Sequence, residues 1–160
     1  MIASTNDFPS IFSALVTHAQ ELGIFEIVYQ GEPKSAPTNG LTIALYVGGA
    51  GDQGFSVVAQ RSGLASVSKR IVITARIHFP MLHEPTSEIE STILGATEQY
   101  IDSLVGDYML GDTVDFLDIF GAYGAAVSGL PGYITIDNKI FRVMSITLPV
   151  VLESEVAESG

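Results

Sequence analysis

The chain has 160 residues, 47% of them hydrophobic, with 7 lysines and arginines against 18 aspartates and glutamates and a net charge of -11. That length and apolar content suit one domain with a substantial core, and the acidity argues against direct binding of nucleic acid, whose phosphates need a basic face. The absence of cysteine excludes thiol catalysis, disulfides and cysteine-ligated zinc. No apolar run reaches the roughly 20 residues that cross a bilayer, and residues 1–6 lack the basic start and apolar core of a signal peptide, so the sequence reads as soluble and made in a cytoplasm.

In chain order, Ile11, Phe12, Leu15, Ala19 and Leu22 recur at helical spacing, opposite Ser13, Thr17, Gln20 and Glu21 and ahead of Gly23. This predicts an amphipathic helix over 10–22 with a glycine stop. A strand is expected over 24–29, and a loop over 31–37, where two prolines oppose regular structure. From Leu41, the large residues Leu41, Ile43, Leu45 and Val47 alternate with Thr42, Ala44 and Tyr46, the period of a half-buried strand. A second alternating run covers 67–79, with Val67, Ile71, Ile73, Ala75, Ile77 and Phe79 on one face. The other face carries Ser68, Arg70, Thr74, Arg76 and His78, and reads as exposed and basic.

Ser87 and Glu90 have the spacing of a capping box, and Ile89, Ile93, Ala96, Tyr100 and Leu104 form the apolar stripe of a second helix ending at Gly106. Residues 115–120 suit a short strand and 121–132 a loop rich in glycine and alanine. Residues 133–136 and 140–151 suit a hairpin turned at Asp137-Asn138-Lys139. The expected fold is α+β: a largely antiparallel sheet with two amphipathic helices packed on one face. One domain is expected over 1–152, with an acidic, frayed tail over 153–160.

Each chemical motif is incomplete. Gly49-Ala50-Gly51-Asp52-Gln53-Gly54 matches the glycine pattern of a dinucleotide cradle, but no helical stripe follows it and no acid occurs between Asp52 and Glu84. It reads as a flexible connection between two strands. His78, His83 and Glu84 lack the spacing of a zinc helix, with Pro80 between them. Asp112, Asp115 and Asp118 lack the glycine and final glutamate of a calcium loop. There is no G-x-S-x-G elbow. No catalytic residue, cofactor or metal site is assigned, and the chain is expected not to be an enzyme.

Charge is more informative. Glu98 and Asp102 stand four apart on the second helix, near Glu88, with no lysine or arginine between Arg76 and Gly106. The strand bearing Arg70 and Arg76 is complementary, so copies could bind head-to-tail in a ring; alternatively, both faces are solvated or pair within the monomer. The glycine-rich segments 48–63 and 121–132, with Gly49, Gly51, Asp52, Gly54 and Tyr123, are candidate partner-contact loops.

Several stretches form an ordered pattern: the first helix leading into Leu22-Gly23-Ile24-Phe25-Glu26-Ile27-Val28, the loop Glu32-Pro33-Lys34-Ser35-Ala36-Pro37 leading into Asn39-Gly40-Leu41-Thr42, and Ser62-Gly63-Leu64-Ala65 ahead of the Arg-bearing strand. Met81-Leu82-His83-Glu84-Pro85, Leu117-Asp118-Ile119-Phe120-Gly121-Ala122-Tyr123-Gly124, and the hairpin from Gly132-Tyr133-Ile134-Thr135-Ile136-Asp137 to Arg142-Val143-Met144 complete it. Together they resemble the tail terminator proteins of long-tailed phages (siphoviruses), particularly those infecting actinobacteria. The resemblance implies a homohexameric ring in the virion, at the head-proximal end of the tail. Such a ring caps the tail tube protein, ends its polymerisation and joins the head-tail connector protein, with no catalytic residues and no membrane partner. DNA would pass through the lumen without specific binding, and six copies at -11 each carry -66 charges, which would repel it. The alternatives are another head-tail joining protein, a small enzyme with a dispersed site, and a bacterial adaptor module.

Overall fold

The computed structural model describes residues 7–37, 40–48, 58–61, 66–106 and 127–155; over 58–61, 66–70, 105–106 and 151–155 it describes the backbone path alone. Helix α1 (Phe8–Leu22) starts two residues earlier than the apolar stripe implies. The Asp7 carboxylate accepts the Ser10 N–H at 2.8 Å, and Pro9 occupies the first turn, where a missing donor costs nothing. Gly23 ends the helix at φ +78°, a conformation that a side chain would strain.

Strand β1 (Ile27–Gln30) pairs in parallel with β2 (Thr42–Val47), and the remaining pairs, which join β3 (Val58–Arg61), β4 (Ser66–Pro80), β5 (Ser128–Ile136) and β6 (Lys139–Glu155), are antiparallel. The order across the sheet is β1-β2-β4-β6-β5. Strands β2 and β3 lie along the same edge of β4: β2 pairs with 73–78 and β3 with 67–70. They are two collinear pieces of one strand line. The glycine motif therefore falls between strands, as expected, but 58–61 belongs to a strand rather than to the loop assigned over 48–63.

The α+β architecture is as expected, with α1 and α2 (Ile89–Gly106) packed on one sheet face. Ile11, Leu15, Val16 and Ala19 of α1 and Ile89, Ile93, Ala96, Tyr100 and Leu104 of α2 meet Ile43, Leu45, the odd positions 71–79 of β4 and the even positions 144–150 of β6. No helix among the described residues is long and apolar enough to cross a membrane.

The other face differs from the sequence reading. Thr42, Ala44, Thr74 and His78 are fully buried, and the Arg76 side chain is only 15% exposed, so β2 is not half-buried and β4 has no open basic face there. Polar and small residues at the centre of a sheet are covered when neighbouring segments close over them. Here Glu32 and Tyr46 lie against Arg76, the Gly48 carbonyl accepts from the Thr74 hydroxyl, and the Phe141 ring packs against His78.

Helix α2 likewise lacks its capping box. A 3-10 turn, Thr86–Glu88, precedes it without a side-chain cap. Glu90 instead binds Arg142 of β6 through two hydrogen bonds, at 2.8 and 3.0 Å, and Arg142 also donates to the Gly132 carbonyl and lies 4.5 Å from the Tyr133 ring centroid. This cluster ties the hairpin to the start of α2. Arg142→Ala is expected to lower stability by about 1–2 kcal/mol and to speed amide exchange in β5; unchanged exchange would show that the strand is held without it.

Residues 128–132, expected to be loop, begin β5. Asp137 and Asn138 both have positive φ, at 55° and 65°, as a two-residue type I′ turn requires, so Lys139 pairs with Ile136 rather than turning. Counting back by twos from that hydrogen-bonded pair puts Pro131 in a pair whose main-chain groups point away from β6. A proline is compatible with an edge strand there because its missing donor faces outward. Strand β6 continues to Glu155 opposite Ser66, so 153–155 belong to the sheet and not to a tail. The strand expected over 115–120 lies outside the described residues.

Candidate functional site: a cation-bearing groove and an acidic helix on opposite faces

The buried face holds a groove of about 340 Å³ lined by Glu32, Tyr46, Arg76, Leu130, Ile134 and Ser145, among others. Its floor follows the sheet register: Ala44, Arg76, Ser145 and Leu130 form one row across β2, β4, β6 and β5. The small Ser145 between two long side chains leaves the depression. Arg76 donates to Glu32 at 3.1 Å and to the Tyr46 hydroxyl at 2.6 Å. Burial raises the pKa of Tyr46, while Arg76 works against it and Glu32 with it. The Glu32 side chain is 60% exposed, so the cation is deep and its counterion shallow.

Two residues along β4, His78 lies edge-on to Phe141, with ring centroids 6.2 Å apart, and among the described residues neither buried ring nitrogen makes a hydrogen bond of full geometry, the Thr42 main chain offering a weak one. Burial, then the nearby Arg76 charge, pushes its pKa down to about 4, with the Thr42 main chain opposing.

On the opposite side of the sheet, the outward face of α2 exposes Leu94, Glu98 and Asp102 at successive turns. Glu90 of the same helix is held by Arg142, and Glu88, in the 3-10 turn before it, contacts His83 at 3.1 Å.

The sequence-expected residues are thus placed apart. Arg76 lies in the groove, and Glu98 and Asp102 lie across the sheet from it. Arg70 stands on β4 in register with Val58 and Val151. Gly49, Gly51, Asp52, Gly54 and Tyr123 lie outside the described residues, as do Asp112, Asp115 and Asp118. Sequence reasoning missed Glu32, Tyr46 and Ser145, which no local pattern links to Arg76. Leu94 carried a signal, since it falls off the apolar stripe of α2. Among the described residues, no three histidines or carboxylates converge as a metal site. The arrangement offers a cation, a phenol and apolar walls, a set suited to holding a carboxylate beside an aliphatic group. The chain matches no protein-family model and no curated protein sequence.

Proposed function

We propose that the chain is a ring-forming virion subunit of the tail-terminator type, non-catalytic, that caps the tail tube, ends its polymerisation and joins it to the head-side connector. The observation that carries this reading is the placement of a cation-bearing groove and an acidic helix stripe on opposite faces of one sheet. Such a subunit can present one face to a neighbour while offering the other, the geometry that a closed head-to-tail ring needs. The ordered sequence pattern that resembles tail terminators supplies the role of the ring. The acidity supports a conduit: with the net charge of -11 repeated in every copy, DNA passing the lumen is repelled rather than bound.

Assembly without this chain tests the role. Tubes are expected to run past a uniform length and to remain unjoined to heads. Tubes of normal length that fail only to join would assign the chain to head-tail joining instead.

A further inference from the structure

The groove already contains a carboxylate, and the way it is held points to what could replace it. Glu32 reaches Arg76 from a loop containing two prolines, with its own side chain 60% exposed. An ion pair with one partner so open to water contributes little, and one carboxylate can exchange for another without leaving the deep guanidinium unpaired. The lip of the groove is Leu130, 59% exposed although it belongs to a strand. A cation and an apolar lip, separated across the row by Ser145, would suit a carboxylate and an aliphatic side chain presented together.

The α2 helix carries that combination. Leu94, 58% exposed, and Glu98 stand four residues apart, which on a helix is about 6 Å between neighbouring side chains. From β4 to β5 the row crosses two strand spacings, about 10 Å, and because the guanidinium leans toward Tyr46 and Glu32 the incoming glutamate must extend over the row to meet it. A volume of about 340 Å³ accommodates two side chains and excludes a helix backbone. Within one chain the two surfaces lie on opposite faces of the sheet, so the helix that fits must come from a second copy.

We infer that the groove receives α2 of a neighbouring copy, with Leu94 against Leu130 and Glu98 taking the place of Glu32 on Arg76. Glu32 is then an internal surrogate that keeps the cation paired in the free subunit and yields it on assembly. This inference rests on the ring reading above and specifies its contact. It also makes association a competition between two carboxylates, so their removal has opposite consequences. In the full chain, Glu98→Gln weakens self-association because the incoming charge is lost, and Leu94→Ser weakens it through the lost apolar contact. Glu32→Gln strengthens it because the competitor is gone.

Sedimentation velocity over a concentration series reads all three variants, with circular dichroism confirming that each is folded. The expected result is association about tenfold weaker for Glu98→Gln and about threefold tighter for Glu32→Gln. A wild-type ring with Glu98→Gln at wild-type strength, or with Glu32→Gln no tighter than wild type, would overturn the groove assignment and leave the ring standing. A wild-type chain that stays monomeric throughout would overturn both.

Discussion

Acidification from pH 6.5 to 4 is expected to remove roughly 3 kcal/mol of folding stability through His78 alone. The imidazole is fully buried, lies edge-on to Phe141 and shares its sheet face with the Arg76 guanidinium; burial first and that charge second hold its pKa at about 4, against 6.5 for the free side chain. Between those values the unfolded chain binds a proton that the folded chain refuses. The contribution of His78 is therefore complete above pH 6.5 and lost as the pH falls through 4. Urea unfolding of wild type and His78→Leu across this range measures it, because carboxylates that titrate in both proteins cancel in the difference. The variant should lose the His78 part of the slope and cost less at pH 7 than the wild-type protein loses on acidification. Equal slopes in the two proteins would mean that the histidine titrates as though in water.

Tyr100 carries the second large effect. It is fully buried in α2, 5.8 Å by ring centroids from His18 of α1 and 6.1 Å from Phe25 after that helix. Its ring joins both helices to the segment that enters β1. Tyr100→Ala is expected to cost about 3–5 kcal/mol, from lost burial and the cavity left behind. Tyr100→Phe should behave oppositely. The hydroxyl is buried with no hydrogen-bond partner among the described residues, and burial raises its pKa, so its removal should raise stability by up to about 1 kcal/mol. Urea midpoints at constant slope separate the two substitutions; a Tyr100→Phe variant losing more than 1 kcal/mol would point to a polar contact at the hydroxyl.

The helices were legible because their signal is periodic and local: Ile89, Ile93, Ala96, Tyr100 and Leu104 mark the buried stripe of α2 without any tertiary knowledge. The hairpin was legible for a similar reason, since Asp137 and Asn138 tolerate the positive φ its turn requires. The first residues of β5 were not, because Gly129, Pro131 and Gly132 read locally as loop, and only the register to β6 shows that an edge strand can hold them. The face of β4 was misjudged for a tertiary reason. Thr74, Arg76 and His78 are polar, and whether they meet water depends on neighbours distant in sequence: Glu32 on Arg76, the Gly48 carbonyl on Thr74 and the Phe141 ring on His78.

The groove was half legible. Arg76 was recognisable as a cation on a strand, and Glu98 and Asp102 as unrelieved acids on a helix, yet Ser145 and Leu130 share a row with Arg76 only through sheet order, and Glu32 meets it only through the path of the loop after β1. That difference alters the ring proposal. A flat basic face would bind any acidic surface, whereas a guanidinium 15% exposed at the floor of a groove selects a carboxylate that can enter it.

The mass of the purified full-length chain in solution tests the central claim most directly. At 17.0 kDa per copy, a closed hexamer gives about 102 kDa, and native mass spectrometry at micromolar concentration should find that species. The proposed heterologous interface also predicts that no stable dimer accumulates at higher concentration, because a pair of copies would still present one free groove and one free helix. A single species at 17.0 kDa at every concentration, or a dimer that binds no further copies, would contradict the account.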